Sequence, residues 1–217
     1  MISSICLRVV TNFYFGDNYL TKSRVISLKS QLIRCFYAID IEDKSTLEKI
    51  TAVQNRLQET GANLKLVAPE NIHITLKFIG EVPSEFTDQM ILFSSEINFS
   101  SFKVELHDVG CFPSLRRINV IWVGIRQGNI GLMNIYQGLE TRMRQLGLKP
   151  ERHGFSPHIT IARVRSGRNI DKLAVAIEEV SDTFFGIFEV LNFRLKKSVL
   201  KPVGPTYSTI YQFDSQN

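Results

Sequence analysis

An α+β fold with two similar lobes is predicted for this 217-residue chain. Three observations predict it. Helical and strand patterns are mixed without strict strand–helix–strand alternation. A short pattern (His, apolar, Thr, apolar) occurs twice in strand-like surroundings, at His73-Ile74-Thr75-Leu76 and at His158-Ile159-Thr160-Ile161. The order strand, helix, strand, motif strand, helix recurs loosely in the second half.

Along the chain, residues 1–32 scatter apolar side chains among Ser, Asn, Lys and Arg without sustained periodicity, apart from a short strand pattern near Ile5–Val10. They read as a peripheral N-terminal extension. Residues 33–217 read as one bilobal domain. Its first strand is Leu32–Ile39. Asp43 or Ser45 caps the next helix, whose apolar face is Leu47, Ile50, Val53 and Leu57 at helical spacing. Gly61 closes that helix. Leu64–Val67 is a short strand, and Pro69-Glu70-Asn71 turns the chain into the first motif strand. A second helix is expected over Ser84–Ile97 and a strand over Phe102–Val109. Gly110-Cys111-Phe112-Pro113-Ser114 reads as a loop before the strand Ile118–Ile125. A third helix spans Asn129–Leu146 and ends at Gly147. The loop Lys149–Ser156 leads to the second motif strand. A fourth helix, Ile170–Val180, precedes strands at Thr183–Phe188, Val190–Ser198 and Thr206–Phe213, with the last turn at Gly204-Pro205.

Composition narrows the function classes. An apolar fraction of 44% suits a globular core, and a net charge of +5 is compatible with an acidic substrate such as a nucleotide. The three cysteines, Cys6, Cys35 and Cys111, have neither the parity nor the spacing of a disulfide framework or a zinc cluster. A reducing, cytoplasmic setting fits them. No stretch approaches the roughly 20 apolar residues of a membrane span, and no signal peptide is read at the N-terminus. No Gly-rich phosphate loop is present.

The two motif strands carry the chemistry. Side chains alternate along a strand, so His73 and Thr75 share a face, as do His158 and Thr160. An imidazole with an ordinary pKa of about 6.5 can take or give a proton near neutrality. One histidine on each side of a phosphodiester can therefore activate the attacking oxygen and protonate the departing one. Each such step is typically worth roughly 10²–10⁴-fold in rate. Thr75 and Thr160 can donate to the non-bridging phosphate oxygens, where charge builds in the transition state. A strained 2′,3′-cyclic phosphate suits such a site without a metal or cofactor. Neither His107 nor His153 sits in a comparable motif; His107 reads as structural or surface, and His153 as a loop residue close enough to the second motif strand to line the site.

At these residues the chain resembles the two-histidine (2H) phosphoesterases, in particular the LigT-like RNA 2′,3′-cyclic phosphodiesterases. The resemblance extends to Arg34–Ile39, to Pro69–Gly80, to Gly110–Pro113, to Ile121–Gly124, to Phe155–Val164 and to Ser198–Tyr207. It covers about residue 33 to the end. It implies two antiparallel sheets facing a central cleft, with helices outside. It implies hydrolysis of RNA 2′,3′-cyclic ends to 2′-phosphates, with His73 as proton donor and His158 as proton acceptor; the residues alone leave those two roles interchangeable. Ligation of 2′-5′ RNA ends by reversal, and an RNA-binding module without turnover, stand as alternatives. The implied partner is RNA or a nucleotide with a cyclic end, held by a monomer with no membrane contact.

Five other side chains are weighed as candidates. Arg163 matches a motif-following arginine of the family and is expected on phosphate. Strict alternation points it away from His158, so it reaches the site only if the strand ends or bulges. Phe155 is a candidate for base stacking, with core packing equally open. Lys77 is expected on the His73 face. Arg116 and Arg117 read as a solvated pair.

Overall fold

The computed structural model describes residues 31–151, 154–202 and 204–216. The expected extension over residues 1–32, with its strand near Ile5–Val10, falls outside them but for its last two residues, and so does His153. Among the described residues the order is β1 (Leu32–Asp40), α1 (Lys44–Gln58), β2 (Leu64–Leu66), β3 (His73–Pro83), α2 (Phe86–Ser94), β4 (Phe102–Ser114), β5 (Arg117–Gln127), α3 (Asn129–Gln145), β6 (Ile159–Val164), α4 (Ile170–Glu179), β7 (Phe184–Val190), β8 (Asn192–Lys201) and β9 (Gly204–Asp214). The class is α+β, as the mixed pattern predicted.

The strands form two antiparallel halves, β3-β1-β8-β9 and β6-β5-β4-β7, with β2 alongside β6. The halves join through one residue pair, Ile74 with Ile159. Alternation along β1 buries Ile33, Cys35, Tyr37 and Ile39 under the helices. Helix α1 begins where Asp43 accepts a hydrogen bond from the Thr46 amide at 2.7 Å, an N-cap. It ends before Gly61, whose φ of +70° is one that side chains other than glycine rarely take.

Each half is covered by a helix from the other half. Helix α1 follows β1 but packs on β6, β7 and α4; α3 follows β5 but packs on β3 and α2. Leu132, Ile135, Leu139 and Met143 supply the fully buried face of α3. This exchange makes each motif strand depend on both halves of the chain.

One predicted loop is a strand. β4 runs on through Gly110–Ser114 and pairs with β5 as a hairpin, closed by a turn at Leu115-Arg116. The ladder with β7 ends at His107, the Asp108 and Val109 amides still donate to the Thr183 and Ser181 carbonyls, and beyond Val109 no strand among the described residues pairs with the far edge of β4. Pro113 therefore sits on a free edge, where a missing amide hydrogen is tolerated. Gly204-Pro205, expected as a turn, instead opens β9.

Candidate active site

The pair Ile74–Ile159 fixes the relation of the motifs. In an antiparallel register it sets His73 opposite Thr160 and Thr75 opposite His158. The four side chains share one face of the sheet, and Ile74 and Ile159, both fully buried, point to the other. The histidines are diagonal neighbours, a relation that spans about 7–8 Å. Each histidine is held in the same way. Nδ1 of His73 lies 2.7 Å from the Asn71 carbonyl oxygen, and Nδ1 of His158 lies 2.8 Å from that of Ser156. A carbonyl only accepts, so each Nδ1 carries the hydrogen, and Nε2 is the nitrogen left to exchange a proton.

Both strands then break alternation at the same place. In β3, Tyr37 pairs with Lys77 and Ala38 with Thr75, which leaves Leu76 as an extra residue. In β6, Ile121 pairs with Ala162 and Trp122 with Thr160, which leaves Ile161 extra. Each bulge directly follows the motif threonine and shifts the pattern by one. Arg163 is thereby returned to the Thr160 face, the condition its expected role required. Lys77 is turned the other way, which corrects the expectation that it shares the His73 face. It is buried on the helix side and paired with Glu140 of α3. Phe78 takes the place in β3 that Arg163 has in β6, and lies largely exposed.

The exchanged helices secure both bulges. From α1, the buried Gln54 amide donates to the Ile161 and Val67 carbonyls, each at 2.8 Å. From α3, Glu140 meets Lys77 and also accepts from the Glu151 amide at 3.3 Å, in the loop that leads to His158. Lys77 and Arg144 hold the Glu140 carboxyl below its ordinary value against the opposing effect of burial.

Aromatic rings line the face. The His73 ring lies 5.2 Å from Phe36 and 5.4 Å edge-on from Tyr207. The His158 ring lies 5.1 Å edge-on from Phe112, which in turn lies 5.3 Å from Trp122. Trp122 rests over Gly110, where a Cβ would come within 2.3 Å of the indole. No motif marks these rings; only the strand order β1-β8-β9 and the pairing of β4 with β5 bring them here. Phe155 is elsewhere. Its ring stacks on Tyr136 of α3 at 4.6 Å, on the helix side, so packing and not the site takes it up.

The two histidines differ in setting. The β8–β9 hairpin folds over His73, with Asn71 donating to the Pro205 carbonyl at 3.4 Å. Beside His73, Asp40 accepts from Lys196 at 2.6 Å and from Arg194 at 2.7 Å. Burial lowers the His73 pKa; the Asn71 carbonyl and Asp40 oppose this, and the charges of Lys196 and His158 add to it. Arg163 and Arg34 both lie close enough to act on the Tyr207 phenol, whose pKa burial raises.

His107 is buried at the far edge of the second half, with Nδ1 3.1 Å from Asp108 and 3.6 Å from Asp182. The sequence did not foretell this cluster. Arg126 bridges both carboxylates at 2.9 and 3.3 Å, which makes it a salt-bridge network. Cys35 and Cys111 are free thiols, and burial pushes the Cys35 pKa up to about 11. No helix among the described residues is long and apolar enough to cross a membrane.

Two half-sheets joined at paired His–Thr strands define a two-histidine phosphoesterase. Within that class the chain belongs to the LigT-like phosphoesterase family, whose model matches residues 39–122 and again 123–207, one match for each motif. The RNA 2′,3′-cyclic phosphodiesterase of Aeropyrum pernix is 36% identical over 164 residues, covering 76% of this chain and 93% of that protein. The protein of the same name from Methanocaldococcus jannaschii is 37% identical over 181 residues, covering 83% and 100%. Among solved structures, Escherichia coli LigT complexed with 3′-AMP superposes with a TM-score of 0.71 at 26% identity, covering 86% of this chain and all of that one.

Proposed function

We propose that this protein hydrolyses 2′,3′-cyclic phosphate ends of RNA to 2′-phosphates, without a metal. The observation that carries the reading is the shared face of His73, Thr75, His158 and Thr160, with both Nδ1 atoms tied to backbone carbonyls. The relatives named RNA 2′,3′-cyclic phosphodiesterase support the substrate.

In the proposed reaction His158 Nε2 takes a proton from water as the water oxygen bonds to phosphorus. The bond from phosphorus to the 3′-oxygen breaks, and His73 Nε2–H protonates that oxygen. The products are a 2′-phosphate and a 3′-hydroxyl. Thr75 and Thr160 donate to the non-bridging oxygens, and Arg163 offsets their charge. A lowered pKa makes His73 a stronger acid toward the leaving oxygen but reduces the fraction that carries the proton at neutrality. The phosphate's own negative charge counters that on binding.

All four motif side chains come from one chain, so a monomer is sufficient. Free thiols at Cys35 and Cys111 support a reducing, cytoplasmic setting. Residues 33–217 act as one bilobal domain in this reading, with 1–32 as an extension.

The test is ³¹P NMR of a cyclic-phosphate-ended oligonucleotide incubated with the protein and a chelator. A 2′-phosphomonoester is the expected product. Turnover that needs added metal contradicts the reading, and binding without turnover favours the RNA-binding alternative.

A further inference from the structure

The fold carries two long hairpins beside the site, one in each half, and uses them differently. Tyr207 of β8–β9 contacts His73, and the start of β9 is seated on Asn71. Phe112 of β4–β5 contacts His158 in the same edge-on way, and among the described residues no side-chain hydrogen bond holds that hairpin's tip. Arg116 and Arg117 are exposed there, and among the described residues they make no ion pair or side-chain hydrogen bond. Leu115 and Phe112 are both 36% exposed.

Between Val109 and Ile125 this hairpin carries Arg116 and Arg117 and no Asp or Glu, and residues 154–170 carry three more arginines and no acid. Arg126, at the hairpin's other end, is taken up by Asp108 and Asp182. Phe112 pairs with Val120, and Val120 with Arg163, so one row of the sheet runs from the hairpin to the motif strand. A positive path thus leads from His158 through Arg163 to Arg116 and Arg117, with the partly exposed Phe112 and Leu115 along it. Cations that track a backbone, interleaved with flat or apolar surface for bases, suit a single strand of nucleic acid. The tip lies about three residues, roughly 10 Å, beyond Phe112. At ~3.4 Å per stacked nucleotide that reach covers about three nucleotides.

We propose that the β4–β5 hairpin is an arm that binds the single-stranded RNA preceding the cyclic end, with Arg116 and Arg117 on its phosphates. The inference rests on the phosphodiesterase reading and gives its substrate a length: an oligonucleotide, favoured over a cyclic mononucleotide.

The experiment compares wild type with the double variant Arg116→Ala/Arg117→Ala, on a cyclic-phosphate-ended single-stranded oligonucleotide and on a 2′,3′-cyclic mononucleotide. For the oligonucleotide, kcat/KM is expected to fall about ten- to thirtyfold near 0.1 M salt, and its log–log salt slope to shrink by about 1.4, two contacts at roughly 0.7 each. For the mononucleotide it stays within about twofold. Fluorescence anisotropy with the same oligonucleotide bearing a 3′-phosphate reads the arm apart from turnover, and should show the same loss of affinity. Unchanged oligonucleotide kcat/KM and affinity overturn the arm, as does an equal loss on both substrates. A wild type that opens neither substrate but loses affinity in the double variant refutes the catalytic reading and leaves the arm supported.

Discussion

Ile74 of β3 pairs with Ile159 of β6, and through that one pair each motif histidine stands beside the other strand's threonine. Neither half of the chain therefore holds all four motif side chains of the proposed phosphate site. Thr75→Val and Thr160→Val keep the side-chain shape and remove one donor each. Each is expected to lower kcat about ten- to a hundredfold, the worth of one hydrogen bond to a charged group, with a smaller change in KM. Steady-state kinetics on a cyclic-ended oligonucleotide checks this; a change confined to KM would show that the hydroxyls bind the ground state alone.

Arg163 owes its place to the bulge at Ile161. Arg163→Met should reduce kcat/KM by at least about tenfold, as expected when one charge-assisted contact to phosphate is lost. Its thermal midpoint should stay near wild type, because Arg163 is exposed and makes no ion pair among the described residues. A lowered midpoint with unchanged kinetics would assign it a packing role.

The pH profile tests the setting of His73. Burial and the nearby cations hold its pKa below the ordinary 6.5. As proton donor it must be protonated, so kcat/KM should fall as pH rises through that lowered value, with the alkaline limb below 6.5 in the free enzyme. Lys196→Met removes a charge that lowers the His73 pKa and leaves Asp40 less compensated, so the limb should move up. A limb that stays in place or moves down counts against His73 as the donor.

Glu140 ties Lys77 after the first motif to the loop before the second. Glu140→Gln strips the buried Lys77 of its counter-charge and should destabilise the fold by about 3–5 kcal/mol. The Glu140 carboxyl is held below its ordinary 4.5, so the stability it contributes is complete above that value and is lost as pH falls through the lowered one. Urea unfolding of wild type between pH 6 and 3 should show that loss, and the Gln variant should lack it. Equal acid sensitivity in both would place the effect elsewhere.

Much of this arrangement was legible from local pattern. The histidines and threonines were visible because alternation needs only their own strand, and α1 because its cap and apolar spacing lie within one segment. The bulges were not. Leu76 and Ile161 look like ordinary core residues, and their extra place exists only against β1 and β5. Lys77 and Arg163 were misread or left open for that one reason. Gly110–Ser114 resembled a loop because Gly and Pro usually end strands; whether they do depends on which edge of β4 is free. Phe112, Trp122, Phe36 and Tyr207 gather by strand order, which no short motif encodes.

Turnover of a cyclic-phosphate-ended oligonucleotide by His73→Ala, His158→Ala and the double variant bears most simply on the paired-histidine reading. Each single change should cost about 10²–10⁴-fold in kcat, and the double variant little more than either single one, because the two groups act as a unit. Undiminished turnover in either single variant would contradict it.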